Sequence, residues 1–75
     1  MSHINSDLSN NTIKSIPEEL FTLTNLTVLD LSNNAIDDLP NMFDSLYGLQ
    51  ELIVSGNNLL RLPPSVINHQ TLETL

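Results

Sequence analysis

Apolar and polar positions along this chain return every 23 residues. In residues 26–40, LTVLDLSNNAIDDLP, leucines at Leu26, Leu29 and Leu31 are followed by Asn34, Ile36, Leu39 and Pro40. One period later stand Leu49, Leu52, Val54, Asn57, Leu59, Leu62 and Pro63; one period earlier stand His3, Ser6, Leu8, Asn11, Ile13, Ile16 and Pro17. A period this long marks a recurring supersecondary unit rather than one face of a helix or strand. Each unit predicts three parts. The alternation at Leu29/Leu31 and Leu52/Val54 predicts short strands near 28–31 and 51–54. A turn follows at SNN (9–11), SNN (32–34) and SGN (55–57). The return segments open on Pro17, Pro40 and Pro63, a residue suited to the first helical position because its missing N–H has no partner there. Short 3-10 or α helix is expected over 17–23 and 42–46, with Glu18 and Glu19 at its positive end.

Stacking such units sets equivalent positions above one another in parallel strands. The columns 29/52, 31/54, 13/36/59 and 16/39/62 form the expected core, with 20/43/66 and 23/46/69 from the return segments. His69 interrupts the last column where a leucine is due. Asn11, Asn34 and Asn57 make a polar column between buried leucines. An amide carries donors and an acceptor, so one Asn per unit can satisfy the turn backbone and join neighbouring units in a structural ladder. Positions 10/33/56 (Asn, Asn, Gly) and 25/48 (Asn, Gly) hold the residues that best accept positive φ, and a left-handed backbone is expected at both series. Thr71 does not continue the second series.

The outward strand positions are Asn5, Asp7, Ser9, Val28, Asp30, Ser32, Glu51, Ile53 and Ser55. The serines recur too regularly to be specific and belong to the turns. Asp7, Val28, Asp30, Glu51 and Ile53 remain as the candidate partner-binding residues. Exposed β-branched side chains among carboxylates suit a segment carrying Lys/Arg and apolar residues.

Composition narrows the reading. Seventy-five residues with 40% hydrophobic content fit one small domain over 1–75, with units at about 3–25, 26–48 and 49–71 and a fourth starting at 72–75. A formal charge of -7, with only Lys14 and Arg61 as cations, argues against nucleic acid and anionic membranes and favours a basic protein partner. Zero cysteines, a polar N-terminus unlike a secretory signal, and no long apolar run point to a cytoplasmic location. Asp7 and Asp30 lack further oxygen ligands, His3 and His69 fall in opposite end units, and no serine has a histidine in an equivalent column. No catalytic residues, metal or cofactor are expected.

The segments IPEELFTLTNLTVLDLSNNAIDDLP and LPNMFDSLYGLQELIVSGNNLLRLP resemble the 23-residue repeats of intracellular leucine-rich-repeat proteins. The likeness is greatest to the Ras-binding group, which includes the Ras suppressor protein and the scribble and erbin scaffolds. This resemblance implies an α/β fold, a right-handed solenoid forming a short horseshoe arc. A parallel β-sheet would line its concave face and short helical or 3-10 return segments its convex face. It also implies protein binding on the concave face in signalling or scaffolding, to a basic or small-GTPase-like partner. Two other readings stand beside this one. The chain could be the repeat region of a longer signalling enzyme or receptor, or its uncapped end units could drive self-association.

Overall fold

A computed structural model describes residues 4–69 and 72–74. Strands β1 (Ile4–Asp7), β2 (Leu26–Asp30), β3 (Glu51–Ile53) and β4 (Glu73–Thr74) form one parallel sheet in chain order. Ser6 lies opposite Leu29 and Leu29 opposite Leu52, one period apart each time. Leu31 and Val54, expected at the strand ends, lie just past them.

The core follows the columns that the period predicts except at Leu23, which was expected inside and is 39% exposed where the chain turns into β2. Leu26, Leu29, Leu31, Ile36, Leu39, Leu46, Leu49 and Leu52 are buried, with Leu20, Phe43 and Val66 closing the convex side. Leu8 and Ile13 at one end, and Val54, Leu59 and Leu62 at the other, are only partly buried because each has a neighbouring coil on one side. Phe21 is buried as well, against the column logic, since its equivalents Asp44 and Ile67 are exposed. Its ring meets the edge of Phe43 at 5.0 Å and 85°, so the two rings fill the layer between successive return segments.

The return segments differ from expectation in detail. The 3-10 helix Glu18–Thr22 follows Pro17, whose extended ψ of 143° makes it the cap rather than the first helical residue. Pro63 caps α1 (Pro64–Ile67) in the same way, and it is Pro64 that occupies the first turn. After Pro40 the helix is delayed to Phe43–Ser45, because Met42 N donates back to Pro40 O and Met42 becomes the cap.

Positive φ occurs at Asn10 (59°), Asn33 (58°) and Gly56 (74°), as expected for the first series. The second series is corrected: neither Asn25 nor Gly48 has positive φ. Leu26 N donates to Leu23 O and Leu49 N to Leu46 O, and these tight turns close without a left-handed residue. A Cβ on Gly48 would make ordinary contacts with the Thr24 and Leu26 carbonyl oxygens, whereas one on Gly56 would collide with Asn33 Oδ1. Gly56→Ala is therefore expected to cost about 1–2 kcal/mol, and Gly48→Ala to be neutral or to stabilise by up to about 1 kcal/mol. Urea unfolding of the two variants checks the contrast.

Two features of the last unit depart from simple decay of the pattern. His69 replaces the column leucine but stays half-buried, with Nε2 at 2.9 Å from Leu46 O, the carbonyl one period earlier. Strand β4 enters on schedule, Glu73 N donating to Gln50 O as Gln50 N donates to Thr27 O. It then pairs one residue early, Glu73 opposite Glu51 and Thr74 opposite Leu52. Both its residues are exposed, so no buried face fixes their register. The expectations for His3, Thr71 and Leu75 lie outside the described residues.

Candidate functional site

The concave surface is built by the sheet. Parallel pairing in period sets its outward positions in two rows, Asn5–Val28–Glu51–Glu73 and Asp7–Asp30–Ile53. All five candidate residues lie in these rows. Asp7 is exposed; Val28, Asp30, Glu51 and Ile53 are half-buried. Glu73 extends the first row by one carboxylate and was missed in the sequence because β4 slips by a residue. The rows hold Asp7, Asp30, Glu51 and Glu73 but no cation, beside two β-branched side chains. At one edge Thr27 Oγ1 donates to Asn5 Oδ1 at 3.1 Å, tying the first two strands together.

The two aspartates are not simply solvated. Asp7 Oδ1 accepts from Ser9 N (3.0 Å) and Ser9 Oγ (2.6 Å), and Asp30 Oδ1 accepts from Ser32 N (3.0 Å) and Ser32 Oγ (2.7 Å). Each carboxylate thus fastens the turn leaving its own strand, a local motif of Asp two residues before Ser. In the third unit Ile53 replaces the aspartate and this tie cannot form. Val28, Glu51 and Ile53 are left as the candidate side chains of the strip with no such duty.

The Ser9 hydroxyl, followed by the Ser9 backbone N–H, holds the Asp7 carboxyl below its ordinary carboxylate value, outweighing the opposing effect of desolvation. A depressed folded-state value means that this turn adds stability above the unfolded-state pKa. The contribution is lost as pH falls through the lowered one. Ser9→Ala should move the Asp7 titration upward toward the ordinary range, read by carboxyl-carbon NMR. An unmoved midpoint would show that the serine is not the cause.

Asn34 and Asn57 do the work expected of the ladder. Asn34 Nδ2 donates to Leu31 O of its own coil and to Leu8 O of the one before, both at 2.9 Å, while its Oδ1 accepts from Ile13 N at 3.2 Å. Asn57 repeats this on Val54 O, Leu31 O and Ile36 N. Asn11, with no coil described before it, bonds among the described residues within its own turn, to Leu8 O and Ser9 O. The convex side carries further links: Phe43 N donates to Ser65 Oγ, Ser65 N to Asn41 Oδ1, and Ser45 Oγ to Phe21 O. The polar side chains that make these links, Asn41, Ser45 and Ser65, recur in no column, so nothing in the period picks them out.

Among the described residues no group of three or more His, Asp or Glu side chains could hold a metal ion. No helix among them is long and apolar enough to cross a membrane. No curated protein matches the chain. The family model for the leucine rich repeat matches residues 7–74. That match spans most of the chain and agrees with the parallel strands, the 3-10 returns and the asparagine ladder, and the chain belongs to the leucine-rich-repeat family.

Proposed function

We propose that this module binds a protein partner through its concave strand face. The partner surface would be an extended, basic segment that also carries apolar side chains. Val28, Glu51 and Ile53 would form the contact centre, with Asp7 and Asp30 adding negative potential at the flank. The observation that carries the reading is the pair of rows themselves, four carboxylates without a cation around half-buried Val28 and Ile53. The family's fold is a binding framework and not a catalytic one, and its curved sheet is the surface that such solenoids use. The 23-residue period resembles the Ras-binding group, which makes a small GTPase the first folded partner to try, in a signalling or scaffolding role.

The variant that tests the surface is Glu51→Lys with Ile53→Asp, because neither residue fastens a turn. Charge reversal at Asp30 would also break the Ser32 tie and confuse binding with stability. A synthetic peptide alternating Lys or Arg with Val or Leu is expected to bind the natural chain. Binding should weaken as salt rises and fall at least about tenfold for the double variant. Equal affinity of the two chains, measured by fluorescence anisotropy, would reject this face.

A further inference from the structure

The outward rows of the sheet carry a symmetry that the backbone lacks. Val28 pairs with Glu51 in one row and Asp30 with Ile53 in the other. A half-turn about the sheet normal, through a point midway between β2 and β3, carries Val28 onto Ile53 and Asp30 onto Glu51. It also carries Asp7, beside Asp30, onto Glu73, beside Glu51. The last match exists because β4 pairs one residue early; in the register of the 23-residue period Thr74 would stand beside Glu51. The position that would answer Asn5 lies outside the described residues. Stacking of repeats puts like over like and does not by itself produce a half-turn. It arises here because the columns change character: Val28 is followed by Glu51, and Asp30 by Ile53.

The grid of the sheet fixes the dimensions of this pattern. Neighbouring strands lie about 4.8 Å apart, and alternate residues of a strand about 6.6 Å apart. The midpoint of Asp7 and Asp30 is then about 12 Å from the midpoint of Glu51 and Glu73. Val28 and Ile53 flank the line between those midpoints, each about 4 Å to its side. The turn ties of Asp7 and Asp30 use Oδ1, so Oδ2 of each is left for an incoming donor. An extended segment turns residues i, i+2 and i+4 to one side, over a span of about 13 Å. Cations at i and i+4 would each meet one acid pair, while an apolar residue at i+2 would meet Val28 and Ile53 together.

We propose that the segment taken by the concave face carries the spacing cation–x–apolar–x–cation in extended form and is accepted in either chain direction. Both points rest on the concave-face binding proposed above and add to it a spacing and an indifference to chain polarity. Arginine is the fitting cation, because one guanidinium can donate to both carboxylates of a pair.

Two peptides with blocked ends, SRSLSRS and its isomer SSRLRSS, have the same composition and charge. Only the first sets both arginines and the leucine on one side of an extended chain. It is expected to bind the natural chain at least about tenfold more tightly by fluorescence anisotropy. Equal affinity of the two would overturn the spacing. Failure of SRSLSRS where the Lys/Val-type alternating peptide binds would overturn this proposal alone; failure of both would overturn concave-face binding with it. A benzophenone on the N-terminus of SRSLSRS reports direction. Trypsin cuts this chain after Lys14 and Arg61, so β1, the β2–β3 pair and β4 fall in three separate fragments. Irradiation should label fragments 1–14 and 62–75 in yields within about threefold of each other. Label on one of the two alone, or on neither, would overturn binding in either direction.

Discussion

Asn34→Leu should lower the unfolding free energy by about 2–3 kcal/mol, although it keeps the side chain's approximate volume and adds apolar surface. The amide satisfies Leu8 O, Leu31 O and the Ile13 N–H at once, linking two coils through one side chain. Leucine leaves the Ile13 N–H to find another partner, which costs about 1–3 kcal/mol. It also takes one bond each from Leu8 O and Leu31 O, though these carbonyls keep Asn11 Nδ2 and Asn57 Nδ2. Partial access to water keeps the cost of the lost Ile13 partner toward the lower end of that range. Asn57→Leu should behave alike, since Asn57 holds the equivalent groups of the second and third coils. Asn11→Leu is the control. Its two bonds stay inside one exposed turn and its loss should cost under about 1 kcal/mol. Urea unfolding of the three variants measures the difference, and equal midpoints for Asn11→Leu and Asn34→Leu would mean that the ladder does not couple the coils.

The contrast between these asparagines shows what a repeating pattern makes legible. The period identifies a column and its chemistry, so the buried leucines, the amide ladder and the left-handed turns at Asn10, Asn33 and Gly56 could all be read in advance. What a residue does as an individual is harder to see. Phe21 has no buried equivalent, and its burial follows from a ring contact with Phe43 in the next coil, which breaks the column. Asn25 and Gly48 shared a composition cue with the left-handed turns. A turn closed from Leu23 O or Leu46 O requires no such backbone there. The five candidate residues share the two outward rows, because parity along a strand is the simplest signal a sequence carries. Their division of labour was not read. The recurrence of Asp two residues before Ser at 7/9 and 30/32 was visible and marks a local carboxylate–turn tie, which removes Asp30 as a clean test of binding and directs attention to Glu51 and Ile53.

Phe43→Ala should be the most damaging single truncation, at about 3–5 kcal/mol. Phe43 is fully buried at the start of the second 3-10 helix, between Leu20 and Val66 of its column and edge-on to Phe21. Its backbone N–H is committed to Ser65 Oγ, so the main chain at this point is tied to the following coil and cannot easily move in to fill the space. A rigid surround is the condition under which a deleted ring leaves a cavity instead of collapsing. Domains of this size have little stability to lose, and a loss of this order would leave a large unfolded fraction at room temperature. Phe43→Leu keeps most of the volume and should cost less, while forfeiting the ring-edge contact, worth about 0.5–1.5 kcal/mol. A double-mutant cycle of Phe21→Leu with Phe43→Leu isolates that contact. Coupling near zero would assign Phe21's burial to general packing, and a measurable coupling would identify the ring pair as the tie between the first and second return segments.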